Sequence, residues 1–234
     1  MTNTFTLDGE EIPFTAGQSV LQAALAAGHY VPHLCAHPEF RPHGSCRVCM
    51  VRANGRFSAS CTLPAQPGLV VESETSDVRA LRREIVRLLF VEGNHFCPSC
   101  EKSGDCKLQA VAYQLEVKTL HFTQLFPDRP VDASHPDLVL DFNRCILCEL
   151  CVRASADIDG RHVFALSGRG IPKHLIVNAE SGSWSTRRSR SPIRRSRSVR
   201  WGVILKRGRA FSVPIGQRTY DLAPIDAKPA QGEP

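Results

Sequence analysis

No window of the 234 residues approaches the ~20 consecutive apolar residues of a membrane-spanning helix, and the opening MTNTFTLDGEEIPF lacks a basic stretch followed by an apolar one. The chain is therefore expected to be cytoplasmic, with no membrane among its partners. No segment recurs at a fixed period, which argues against a solenoid or propeller. A glycine-rich dinucleotide loop is also missing: SGRGIP, residues 167–172, has neither the strand-to-helix setting nor the spacing that cradles a pyrophosphate. Cysteine is absent from most of the chain; its ten residues fall in three groups, with no spare thiol between them and none after Cys151. In a reducing compartment that distribution points to metal ligation rather than disulfides. Acid is absent from one stretch, STRRSRSPIRRSRSVR at 185–200, which holds seven arginines. The formal net charge is +6, so the remainder carries 6 − 7 = −1 and is not the basic surface that nucleic-acid binding requires.

What is present reads first as a β-rich unit with one helix over residues 1 to about 72. TFTLDGEEIPF alternates around Asp8-Gly9, a hairpin-turn dipeptide, and CRVCMVRANGRFSASC predicts a second hairpin turning at Asn54-Gly55. Between them SVLQAALAAG, 19–28, starts on a capping serine and stops at Gly28. A longer helix is expected from Ser76, where Val78, Leu81, Ile85, Leu88 and Leu89 recur at helical spacing and Arg79, Arg82, Arg83 and Arg87 read as a solvated face. Further strands are expected at DLVLDF (137–142), HVFALSGRG (162–170) and HLIVNAE (174–180).

The chemistry sits in the cysteine groups. Cys35, Cys46, Cys49 and Cys61 follow one another as C-x10-C-x2-C-x11-C, so a loop, a close pair and a returning strand bring four thiolates, enough for a [2Fe–2S] cluster. A structural zinc site also accepts four cysteines, although zinc ribbons use two C-x2-C knuckles and this group has one. His95, Cys97, Cys100 and Cys106 form the second group, one imidazole and three thiolates at the end of the long helix, with Gly93 and Gly104 freeing the backbone to wrap; zinc suits such a set as well. The third group, Cys145, Cys148 and Cys151 in NRCILCELCVRAS, has the C-x2-C-x2-C spacing of a cubic cluster site but only three thiolates. Three such groups in one short chain favour a relay of redox centres over three separate zinc knuckles.

These residues together resemble the N-terminal iron–sulfur region shared by the large iron–sulfur subunit of respiratory complex I, the iron-only hydrogenases and the small diaphorase subunit of NAD-reducing soluble nickel–iron hydrogenases. The likeness covers nearly the whole chain and is strongest to the last, on LCAHPEFRPHGSCRVC, EGNHFCPSCEKSGDCKLQAVAYQ, RCILCELC and GVILKRGRAFSVPIGQRTY. It implies an α+β chain: a β-grasp [2Fe–2S] ferredoxin-like domain over 1–73, a [4Fe–4S] segment over 74–125 and a small ferredoxin-like [4Fe–4S] domain over 126–234. Cys35, Cys46, Cys49 and Cys61 are the implied [2Fe–2S] ligands, and His95, Cys97, Cys100 and Cys106 the ligands of a [4Fe–4S] cluster. Phe96 alone separates His95 from Cys97, where the wider family has three residues and the hydrogenase branch the short form. The implied role is an electron-relay subunit without a catalytic site of its own. Its implied partners are a larger diaphorase subunit carrying FMN and NAD and the small and large subunits of a nickel–iron hydrogenase. A formate dehydrogenase diaphorase or a complex I relative would use the same region, and a zinc-bearing nucleic-acid adaptor is the reading of another class.

By the same resemblance the third cluster takes its last ligand from a CPVG stretch, where this sequence has Val199-Arg200-Trp201-Gly202. If these residues were written GTC CGG TGG GG, then preceded by T and read one base earlier they become TGT CCG GTG GGG, or Cys-Pro-Val-Gly. Trp184-Ser185-Thr186 as TGG TCG ACG, preceded by C, likewise becomes Leu-Val-Asp. The arginine- and serine-rich run at 183–201 is thus expected to be a compensated frame error, the alternative being a real arginine–serine arm.

Overall fold

Asp8 and Gly9 turn strand β1 (Asn3–Leu7) back onto β2 (Glu10–Phe14), both at positive φ (49° and 90°), as a two-residue hairpin turn requires. The computed structural model describes residues 3–178 and 202–227. Helix α1 (Val20–Ala26) opens on a reciprocal cap in which the Ser19 hydroxyl accepts from the Gln22 N–H and the Gln22 side chain accepts from the Ser19 N–H. Strands β3 (Met50–Ala53) and β4 (Arg56–Ala59) turn at Asn54-Gly55, again at positive φ. Strand β5 (Val70–Glu72) slots between β1 and β3, parallel to the former and antiparallel to the latter, giving the order β2-β1-β5-β3-β4. No turn dipeptide announces that parallel seam; only the closure of the sheet creates it.

Two cores result. The first packs Phe5, Leu7, Ile12, Val20, Val51 and Val71 between the sheet and α1, and it includes Cys49 and Cys61. Cys35 and Cys46 belong instead to the second, with Leu34, Phe40 and Val48, which runs on through Val86, Leu108, Val111, Leu140 and Leu150. The first cysteine group thus straddles both cores.

Helix α2 (Ser76–Val91) corrects the expected faces. Val78, Arg82, Val86 and Val91 are its buried positions, whereas Leu88 is exposed, and Arg79, Arg83 and Arg87 are half-buried rather than solvated. Backbone carbonyls with no partner of their own are the reason. Arg83 Nε donates to the Leu115 carbonyl at the end of helix α3 (Lys107–Gln114), and Arg87 Nε to Thr119, while the long apolar stems lie on the protein. Arg82, wholly buried, donates from Nε to Met50 O (2.8 Å) and from its two terminal nitrogens to Ser73 O and Oγ (both 2.9 Å). Arg82 therefore crosses the expected boundary at 73. A fragment ending at residue 92 should melt roughly 5–10 °C above one ending at 73, as judged by circular dichroism; equal midpoints would show that Arg82 adds nothing to the first sheet.

Beyond α3, β6 (Val131–Asp132) pairs with β7 (Leu138–Asp141), and β10 (Ile204–Lys206) pairs with the other edge of β7. Asp141 N donates to Val203 O at 2.9 Å, so the chain after 202 docks beside the third cysteine group. Helix α4 (Leu150–Arg153) continues into a wide π turn at Ala154–Ile158, and β8 (Phe164–Ser167) with β9 (His174–Val177) makes a separate hairpin. A short helix α5 (Thr219–Leu222) closes against Gly104. Strands stand within all three segments where sequence predicted them. Among the described residues no helix is long and apolar enough to cross a membrane.

Candidate metal centres

Cys49 lies just before β3 and Cys61 just after β4, so one hairpin holds both; Cys35 and Cys46 arrive on the loop between α1 and β3. Gly44 and Arg47 bend that loop at positive φ, and a Cβ on Gly44 would sit 3.1 Å from Thr62 Cγ2. All four thiols are buried. Their contacts run Cys46–Cys35–Cys61–Cys49, an open string. Hydrogen bonds from Cys46 and then Cys61 hold Cys35 well below the usual thiol range, while donation to Cys35 holds Cys46 and Cys61 well above it. Cys49, accepting chiefly from Cys61, is lowered to about 7. Thiols that share protons in this way are a donor set from which a metal centre can displace protons.

The second group is built at the end of α2. His95, Cys97, Cys100 and Cys106 line one cavity of about 300 Å3 together with Phe90 and Arg144. Phe90 meets the His95 ring edge-on at 5.5 Å, and one ring nitrogen donates to the Leu89 carbonyl. The other, Nε2, is buried with no partner. Burial, and then the charges of Arg129 and Arg144, push His95 down to about 4, which leaves a neutral ring and a free lone pair at neutral pH. Gly93 makes room for it, since a Cβ there would stand 2.5 Å from Nε2. Burial raises the Cys97 thiol and pushes Cys106 up to about 11. Among the described residues no three His, Cys, Asp or Glu side chains crowd around a single-ion position. A cavity of 300 Å3, against ~30 Å3 for one water, lined by three cysteines and a histidine whose Nε2 is unpartnered, fits a group of several atoms.

Cys145, Cys148 and Cys151 wrap a tight loop into α4. Leu147 and Glu149 sit in the left-handed region (φ 54° and 61°), at a cost of about 1 kcal/mol or more each, and Leu147 N–H donates to Cys145 Sγ at 3.4 Å. Burial raises Cys145 and Cys151. The fourth ligand expected at 199–200, like the whole 183–201 stretch, lies outside the described residues, apart from its neighbour Gly202, which packs against Lys102 and Arg144.

Sequence reasoning missed the cations that link these groups. Lys107 Nζ meets His33 Nε2 at 2.8 Å, both residues buried, joining the loops of Cys106 and Cys35. Arg144 Nη1 lies 3.5 Å from Cys100 Sγ and 2.9 Å from Glu101, with Nε 2.7 Å from Asp141. Arg129 donates to the Cys145 carbonyl at 2.9 Å. Arg153 donates to the carbonyls of Arg41, Cys35 and Cys148. The only signal in the sequence is that Lys107 and Arg144 adjoin a cysteine and Arg153 follows Cys151 by two.

Residues 2–76 match a 2Fe-2S iron-sulfur cluster binding domain, and residues 82–121 the NADH-ubiquinone oxidoreductase-G iron-sulfur binding region. The chain is 35% identical over 237 residues to the NAD-reducing hydrogenase HoxS subunit gamma of Cupriavidus necator, covering 100% of this chain and 99% of that protein. It is 32% identical to the mitochondrial NADH-ubiquinone oxidoreductase 78 kDa subunit of Candida albicans, over 70% of this chain and 24% of that one. Among solved structures, a chain of an NAD+-reducing [NiFe]-hydrogenase in the H2-reduced state superposes with a TM-score of 0.92 at 50% identity, covering 98% of each chain. With a fold of that likeness and matches to both iron–sulfur regions, the chain belongs to the family of gamma subunits of NAD-reducing hydrogenase.

Proposed function

We propose that this chain relays single electrons through iron–sulfur clusters, between a diaphorase partner that binds FMN and NAD and the subunits of a nickel–iron hydrogenase. The observation that carries the reading is His95, whose Nε2 is buried and unpartnered and which lines one cavity with three cysteines. Clusters bound in these sites would supply one-electron chemistry, the step between a two-electron hydride carrier and a metal centre. Cys35, Cys46, Cys49 and Cys61 hold a [2Fe–2S] cluster, and His95, Cys97, Cys100 and Cys106 a [4Fe–4S] cluster. Cys145, Cys148 and Cys151 supply three ligands of a second [4Fe–4S] cluster. Everything else the chain does for the reaction is structural: it keeps the thiols dry, orients the imidazole through Leu89 and places cations beside the sulfurs.

Purification of the untagged protein with its natural partners tests this. The expected product is a brown complex containing flavin and nickel, with about ten iron atoms and as many acid-labile sulfides in this subunit. A colourless subunit carrying zinc would overturn the proposal.

The natural gene is inferred to encode a cysteine at or next to 199–200, since a cubic cluster on three thiolates leaves one iron open to water or loss. Resequencing the locus and weighing the intact native subunit decide the matter. A mass equal to that of the sequence as written would refute the frame error and require a non-cysteine ligand at the third site.

A further inference from the structure

Each pair of cysteine groups is bridged by a cation, and the three bridges are not alike. Between the second and third groups Arg144 carries two carboxylate partners, Glu101 and Asp141, so much of its charge is neutralised locally. Between the first and second, Lys107 contacts an imidazole. Between the first and third stands Arg153, half-buried, whose terminal nitrogens donate to Cys35 O, Arg41 O (2.9 Å) and Cys148 O (3.4 Å), with its guanidinium carbon 5.4 Å from the Phe40 ring centre. Its Nε is buried and unpartnered. Among the described residues no carboxylate forms an ion pair with it. Glu149, one turn earlier, is engaged by His43 (3.0 Å) and Lys173 (3.6 Å) instead.

We propose that Arg153 is a positioning residue that sets the first and third centres as a pair: its guanidinium fixes the Cys35 and Cys148 backbones relative to each other and biases both centres toward their reduced forms. The inference rests on the proposed ligation by Cys35 and Cys148. A fixed, uncompensated positive charge stabilises added negative charge, and in a half-buried setting that stabilisation is screened less than at the open surface. Because one side chain touches a ligand residue of each site, its removal must move both. No covalent bond forms or breaks at Arg153; it acts through its hydrogen bonds and its charge.

The test is a redox titration followed by electron paramagnetic resonance on the natively purified complex, with iron and sulfide analysis of every sample. In Arg153→Met, the first and third centres should each become about tenfold harder to reduce, ~59 mV lower for one electron, while the His95 centre stays at its wild-type potential. Arg153→Gln should show the same paired shift and carries the test if the methionine variant loses iron. Arg153→Lys should recover most of both potentials. Wild-type potentials in a fully loaded neutral variant, a shift in only one of the two centres, an equal shift in all three, or a lysine variant no different from methionine would each overturn the role. Absence of iron and sulfide from the wild-type subunit would instead overturn the cluster reading on which it stands.

Discussion

His95→Ala is expected to strip the second centre, lowering the iron content of the subunit by about four atoms and abolishing that centre's resonance signal, while the first centre keeps its own. The structure gives the reason: His95 lines the cavity, its Nε2 has no other partner, and alanine leaves only three thiols around a space of about 300 Å3. His95→Cys should keep the cluster and lower its midpoint potential on the order of 100 mV, because a thiolate replaces a neutral ligand and the added negative charge favours the oxidised form. Gly93→Ala offers an independent route to the same loss, since its Cβ would come within 2.5 Å of Nε2 and force the ring to move. If all three variants keep wild-type spectra and potentials, His95 is a structural histidine. His121 is no ready substitute: it is half-exposed, engaged by Glu84 at 3.1 Å, and does not line the cavity.

The second large effect is on folding. Arg82→Met should cost about 3–5 kcal/mol, comparable to the whole margin of a small domain, and lower the melting midpoint by roughly 10–20 °C. Burial lowers the pKa of this guanidinium, yet it remains charged at neutral pH, with Glu74 3.3 Å away. What methionine removes is the set of donors that Met50 O, Ser73 O and Ser73 Oγ all use, leaving two buried acceptors and one partly buried one with no replacement. Arg82→Lys should rescue little, because an ammonium on a single stem cannot meet acceptors on two segments in one plane. Thermal denaturation of the chain followed by circular dichroism provides the measurement, and a midpoint within 2–3 °C of wild type in Arg82→Met would be inconsistent with this account.

Both effects mark the limits of reading the chain alone. The turns at Asp8-Gly9 and Asn54-Gly55, the Ser19 cap and the long helix were legible because each depends on residues a few positions apart, where dihedral preference acts directly. Recognition of the family was legible for the same reason: its motifs are short and local. The identity of the buried face of α2 was not. Apolar spacing singled out Leu88, which is exposed, and left Arg82 to solvent, although it is buried. Hydropathy cannot register that a guanidinium is welcome where unpaired carbonyls converge, and the carbonyls of Met50 and Ser73 meet Arg82 only after β5 has closed the sheet. Which ring nitrogen of His95 is left without a partner, and which cation touches which cysteine loop, were decided the same way. Arg153 and Cys35 are 118 residues apart, and their contact exists only because two cores pack against each other around the thiols. The type and spacing of the cysteines and of His95 are written in the chain; the charges beside them come from distant segments, and only tertiary packing decides where they lie.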